Sequence, residues 1–260
     1  MRKGGRSMIT CGEKIPELHV ERTKGMRRRM EDRSRVVIRP EGIFAGVFDG
    51  HAGVSVADRL AGRLSGHFFS FFDRGLPVAD SLESAFTEMD RECRQMDCGS
   101  TAACAYVSGH RLTAANAGDA SVIVIGSTAR LLSQTHRLDD AGEFARIRAT
   151  GARIRRPYFY GADRGLVPTR SFGDRAMREA GLISTPHIVE YDLCDCDRYI
   201  LIASDGLFEG VTIADAENLL SGNPGAAAGA RNLVRAARLQ GAADNITTIL
   251  IRPAALPPFS

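Results

Sequence analysis

Short runs of Val, Ile, Phe, Thr and Ala recur along the chain, each interrupted by Gly, Pro, Ser or Asp. They predict β-strands at residues 34–39, 43–48, 101–107, 112–117, 122–125, 188–192, 199–203 and 246–251. Between the second and third runs the apolar spacing changes to three and four. Ala57, Leu60, Leu64, Phe68 and Phe71 form one such stripe, and Leu82, Phe86, Met89, Cys93 and Met96 form another. That spacing predicts two amphipathic helices. Shorter helices fit residues 139–150 and 213–220, with Thr212 as a cap for the latter, and a last helix fits 226–239. Strands in hairpin-like groups, with helices in pairs, argue for antiparallel sheets and an α+β class. Residues 1–24 are polar without a clear period and read as an arm. Residues 153–168 have weak periodicity with several Gly and aromatic residues, and read as a long loop or flap. The Pro-rich end reads as a frayed tail. No repeat, low-complexity segment or linker divides the chain.

Composition narrows the classes. The 260 residues are 44% hydrophobic and 25% charged with a net charge of +3, ordinary values for a globular protein. No uncharged stretch approaches the roughly 18 apolar residues of a membrane span. The basic start is followed by no apolar signal core, and Arg2 stands where myristoylation needs Gly. A cytoplasmic chain, with the nucleus also open to it, is therefore expected, without membrane contact. Among 34 basic residues only Lys3, Lys14 and Lys24 are lysine. An Arg bias suits phosphate or nucleic-acid recognition, but it equally fits codon bias on a solvated surface. With +3 of net charge and no aromatic interleaving, no nucleic-acid partner is expected. The six cysteines form no CxxC pair, and reduced thiols are the default without a secretory signal. A cysteine-based phosphatase needs Arg six positions after its Cys, where this chain has Glu17, Gly99, Cys104, His110, Ile200 and Ile202. That route is closed.

Three apolar runs end in the same chemistry. Phe44–Phe48 leads into Asp49-Gly50, residues 113–117 lead into Gly118-Asp119, and Tyr199–Ala203 leads into Ser204-Asp205-Gly206. Asp244-Asn245 sits where the last strand begins. Any one Asp-Gly after a strand is more simply a turn. If sheet order brings these ends together, the carboxylates would repel one another unless a cation neutralised them. All-oxygen ligands favour Mg²⁺ or Mn²⁺ over zinc.

At this point the chain resembles the PPM, or type 2C, metal-dependent protein phosphatases. The resemblance rests on Met30-Glu31-Asp32, Phe48-Asp49-Gly50-His51-Ala52-Gly53, Gly99-Ser100-Thr101-Ala102 and Ala115-Asn116-Ala117-Gly118-Asp119. It continues through Thr169-Arg170-Ser171-Phe172-Gly173-Asp174, Ala203-Ser204-Asp205-Gly206-Leu207-Phe208 and Asp244-Asn245-Ile246-Thr247. Each is weak alone; seven in order are strong. The resemblance implies a catalytic domain at 22–252 between an arm at 1–21 and a tail at 253–260. Its fold would be a four-layer α-β-β-α sandwich of two antiparallel sheets flanked by antiparallel helices. It implies hydrolysis of phosphoserine and phosphothreonine in a phosphoprotein substrate by a hydroxide bridging two metal ions. Asp49 would bridge the Mg²⁺ or Mn²⁺ ions, Asp205 and Asp244 would complete one of them, and the Gly50 carbonyl would serve the other with Glu31 and Asp32 nearby. Asp119, Asp205 and Glu209 would form a weaker third site. Arg27 would bind phosphate, and His51 would be the general acid. A monomer is expected.

Some positions depart from the family pattern. Glu209 replaces an Asp, Thr135 replaces the Asp before His136, Pro168-Thr169 replaces a small residue and Ser, and Ala152 replaces a Gly. A binding module descended from such an enzyme would be expected to lack core ligands, and none is missing.

Overall fold

A computed structural model describes residues 16–253. The elements begin with β1 (Glu17–Thr23), β2 (Arg33–Arg39), β3 (Gly42–Phe48) and β4 (Gly50–His51). Two long helices follow, α1 (Ser55–Phe72) and α2 (Val78–Cys93). Next come β5 (Gly99–Ser100), β6 (Ala102–Ser108), β7 (Arg111–Ala117), β8 (Ser121–Ile125) and β9 (Ala129–Leu131). Helix α3 (Ala141–Ala149) precedes β10 (Arg153–Arg155), β11 (Tyr158–Gly161), β12 (Arg164–Leu166) and β13 (Phe172–Gly173). The chain then forms β14 (His187–Asp192), β15 (Tyr199–Ala203), α4 (Ile213–Leu220), α5 (Ala226–Leu239) and β16 (Ile246–Arg252).

Two five-stranded antiparallel sheets, ordered β1-β16-β15-β8-β9 and β14-β7-β6-β3-β2, form the centre. The alternation of side chains along each strand shows how they stack. In β3, Ile43, Ala45 and Val47 join Val122, Ile200, Ile202 and Ile249 in a core between the sheets. Phe44 and Phe48, on the opposite face, pack with Leu60, Leu64, Phe68 and Phe86 of α1 and α2. In β15, Tyr199, Leu201 and Ala203 turn outward against Leu220, Leu233 and Ala237 of α4 and α5. Each central strand is thus buried on both faces, and reads as a continuous apolar run. The layers are α-β-β-α, the sandwich that the resemblance implied. The capping of α4 is as expected too: Thr212 Oγ1 accepts from the Asp215 N–H at 3.1 Å, and Asp215 accepts in return from the Thr212 N–H at 3.0 Å.

Three expectations need correction. Glu17–Thr23, assigned to the arm, forms β1, an edge strand paired with β16 from Glu17↔Arg252 to Thr23↔Ile246. Its Leu18 and Val20 turn into the inter-sheet core, while Glu17 and Arg22 are exposed. Residues 1–15 of the arm and 254–260 of the tail lie outside the described residues. Second, the flap is not a loop: β10, β11 and β12 form a three-stranded antiparallel meander. Phe159 and Leu166 anchor it on Leu138, Ile147 and Met177. Third, Cys194 and Cys196 are joined by a disulfide rather than reduced, their Cα atoms lying 5.3 Å apart, a span such a bridge fits.

Glu143 of α3 ties the flap region to the sandwich. It is almost fully buried, and it binds Arg146 at 2.6 Å, Arg170 at 2.8 Å and the Thr169 hydroxyl at 2.6 Å. Burial alone would raise its pKa, but these three donors outweigh burial and hold it at about 2, against 4.5 for a free Glu. A depressed carboxylate stabilises the fold above its unfolded pKa, and the contribution fades as pH falls through the folded one. Replacement of Glu143 by Gln should therefore cost on the order of 3 kcal/mol at pH 7. Urea unfolding of both proteins should show that gap shrinking as the pH drops from about 4.5 towards 2. A gap independent of pH would contradict the ionic role.

Candidate metal centre and active site

The carboxylates at the strand ends meet at one pole of the sandwich. Asp49 leaves β3, Asp119 lies between β7 and β8, Asp205 opens a 3₁₀ turn after β15, and Asp244 precedes β16. Carboxylate oxygens of Asp49, Asp119 and Asp205 lie within 4.8 Å of one another. Glu31, Asp244, Arg27 and His51 join them around a cleft of about 470 Å³.

Asn245 fixes the segment that delivers Arg27 and Glu31. Its side-chain carbonyl accepts from the Glu31 N–H at 2.7 Å, and its amide donates to the carbonyls of Lys24 and Arg29 at 2.8 and 2.9 Å. Gly25, at φ +64°, makes the required turn, since a Cβ there would overlap the Asp244 carbonyl. A side chain at Gly50 would meet the Glu31 carbonyl oxygen at 2.5 Å, so only glycine lets these two peptides approach.

Burial and like charge set the electrostatics of the cluster. Asp32 is fully buried, and its Oδ2 accepts from the Ser204 hydroxyl at 2.8 Å while Oδ1 has no hydrogen-bond partner. Burial pushes Asp32 up to about 6. Asp205 also rises to about 6 through burial and the charge of Asp119. Asp49 rises well above its ordinary value, through burial first and then the charges of Asp205, Asp32 and Asp119. An orphaned buried carboxylate oxygen among mutually repelling carboxylates is a donor set for a hard divalent cation, and these residues fit Mg²⁺ or Mn²⁺.

Five other side chains complete the geometry. Arg27, largely exposed, lies 2.5 Å from Asp244 Oδ2. His51 is held through Nε2, 2.6 Å from Asp174 Oδ2. Asp174 is fully buried, accepts from the Ser171 hydroxyl at 2.7 Å, and adopts φ +47°. Glu209 lines the cleft, but its Oε2 accepts from the N–H groups of Ala243 at 2.8 Å and Asp244 at 3.1 Å. Arg137 reaches Asp119 Oδ2 through Nε at 2.6 Å and Asp205 Oδ2 through Nη2 at 2.7 Å. Two of the cysteines are poor nucleophiles: burial pushes Cys93 up to about 12 and raises Cys104 as well.

Sequence reasoning passed over Asp174, Asn245 and Arg137 as site residues. Asp174 and Asn245 lay within two of the motifs, and that position was the available signal. Arg137 had none, since its partners lie 18 and 68 residues away.

The chain is similar to known proteins in sequence and in fold. The family described as Protein phosphatase 2C matches residues 17–246. Probable protein phosphatase 2C 59 of Arabidopsis thaliana is 31% identical over 218 residues, covering 81% of this chain and 70% of that protein. Probable protein phosphatase 2C 45 of rice, Oryza sativa subsp. japonica, is 30% identical over 217 residues, covering 81% of this chain and 76% of its own. A crystal structure of a phosphatase from Toxoplasma gondii superposes with a TM-score of 0.81 at 19% identity, over 92% of this chain and 93% of that one, a likeness of fold. The chain therefore belongs to the protein phosphatase 2C family, the metal-dependent protein serine/threonine phosphatases. No helix among the described residues is long and apolar enough to cross a membrane.

The raised carboxylates generate a prediction about metal uptake. Protonated Asp side chains must lose their protons to bind a cation. Calorimetric titration of Mn²⁺ into the metal-free protein at pH 6, in two buffers of different ionisation heat, should show proton release that declines by pH 8. Buffer-independent heats at pH 6 would contradict the raised values.

Proposed function

We propose that this chain hydrolyses phosphoserine and phosphothreonine in protein substrates, using two Mg²⁺ or Mn²⁺ ions. Asp49, Asp205, Asp244, Glu31, Asp32 and the Gly50 carbonyl would hold them. The observation that carries this reading is the convergence of carboxylates from separate strand ends, with Arg27 and His51, on one cleft. Bound there, paired divalent ions supply positive charge for the phosphoryl oxygens and lower the pKa of water so that hydroxide is available near neutral pH.

The chain's own side chains do the rest. Arg27 sits at the cleft mouth with its guanidinium exposed, where a phosphate can compete with Asp244 for its planar donors. His51 lies at the cleft wall, and Asp174 grips one ring nitrogen. The ring is thereby oriented to protonate the departing Ser or Thr oxygen. Asp174 touches no substrate; it positions the imidazole, and Ser171 positions Asp174. The flap contributes Pro157, Tyr158 and Leu166 to the cleft wall, and exposed Arg153, Arg155 and Arg156 for contact with the surrounding phosphoprotein.

Two substitutions test the assignment. Asp205→Asn should abolish Mn²⁺-dependent hydrolysis of a phosphopeptide, as should EDTA on the wild type; residual activity in either case counts against the metal site. His51→Ala should slow phosphopeptide turnover by about 10²–10⁴, with a much smaller loss on aryl phosphates, whose leaving group needs little protonation. Asp174→Asn should show the same split at smaller amplitude. Equal losses on both substrates would remove His51 from the acid role.

A further inference from the structure

The resemblance to type 2C phosphatases places a weaker third divalent ion between Asp119, Asp205 and Glu209. The geometry of this chain disagrees with that placement. Arg137 Nε donates to Asp119 Oδ2 at 2.6 Å, and Nη2 of the same guanidinium donates to Asp205 Oδ2 at 2.7 Å. One planar fork thus spans the two carboxylates that would share the ion. The Asp119 side chain is only 4% exposed, so its charge requires a partner within the protein, and Arg137 is that partner. The third carboxylate is engaged elsewhere, because Glu209 Oε2 accepts from the Ala243 and Asp244 backbone N–H groups.

The arginine is also anchored where it stands. Its neighbour His136 is fully buried, donates its backbone N–H to the Gly118 carbonyl at 3.1 Å and accepts from the Thr169 N–H at 2.8 Å. Leu138 on the other side is buried in the flap core. The Arg137 carbonyl accepts from the Asp140 N–H at 3.1 Å, and its backbone bridges to Pro168. A guanidinium mounted on such a backbone is always charged, and its local concentration does not depend on the metal supply.

We propose that the Arg137 guanidinium is a built-in cation that takes the position between Asp119 and Asp205 in place of a third divalent ion. It holds only Oδ2 of each carboxylate, so Asp205 keeps an oxygen for the core site. Metal dependence then saturates once the core ions are bound. The third-ion position is handled by a group that neither dissociates nor responds to chelators.

This inference rests on the proposed metal centre only for the kind of ion involved, and the two are tested at separate places. Crystals of the full chain soaked in millimolar Mn²⁺, measured by anomalous scattering, should show no manganese between Asp119 and Asp205 and clear guanidinium density there. In Arg137→Ala and Arg137→Gln a manganese peak should appear at that position. Bound Mn²⁺ per chain, counted by electron paramagnetic resonance after equilibrium dialysis, should rise by one over the wild type. Manganese between Asp119 and Asp205 in the wild type, with Arg137 swung away, overturns the proposal without recourse to any variant. So does an unchanged manganese count in both variants. Peaks beside Asp49 and Asp244 report on the core site alone.

Discussion

Crowding negative charge at the ends of buried strands is the constraint on which the rest of the structure depends. Two carboxylate charges 4.8 Å apart, the outer limit within the Asp49, Asp119 and Asp205 cluster, repel by about 3 kcal/mol at an effective dielectric near 20. The sandwich tolerates this because the carboxylates ride on its most rigid parts, strands buried on both faces and locked into two ladders. Small residues at the inter-sheet contact, Ala45, Ala103, Ala105 and Ala114, let the sheets approach closely. The charge problem is met locally: burial and like charge raise the proton affinity of Asp32, Asp49 and Asp205, the Arg27 guanidinium pairs with Asp244, and Arg137 spans Asp119 and Asp205.

The central strands were readable in the sequence because burial on both faces forces an unbroken apolar run, as in Phe44–Phe48 and Tyr199–Ala203. The long helices were readable because one stripe of α1 and one of α2 must match a single sheet face. Strand β1 was not readable: as an edge strand it buries only Leu18 and Val20, too few to stand out among Glu17, His19, Glu21 and Arg22. The flap strands are three or four residues each, shorter than any period can register, and they owe their order to Phe159 and Leu166 reaching a separate small core. Within the site, ligand candidates adjacent to strand ends were visible, and side chains recruited over distance were not. Asp174 meets His51 across 123 residues, a pairing that only the fold creates.

The segment between α3 and β13 is fastened to the sandwich from beneath, through one buried carboxylate. Glu143 gathers Arg146, Arg170 and Thr169 beneath it, so Arg170 of the Thr169–Asp174 motif serves as a strut rather than as a phosphate ligand. Above that node the surface carries Arg153 stacked on Tyr160 and Arg156 over Phe144. Substitutions on that outer face alter what the cleft mouth offers a substrate while the buried node below remains intact.

The pairing of β1 with β16 also determines how this domain can be joined to anything else. Thr23 and Ile246 face one another near the carboxylates, whereas Glu17 and Arg252 face one another six residues further along the ladder. At the usual rise of a strand that is about 20 Å from the chemistry. Both ends therefore leave the sandwich side by side, at the pole remote from the cleft. A module fused at either end can feed the cleft only through a linker long enough to double back along the sheet. Its local concentration at the active site is then governed by tether length rather than by direct contact.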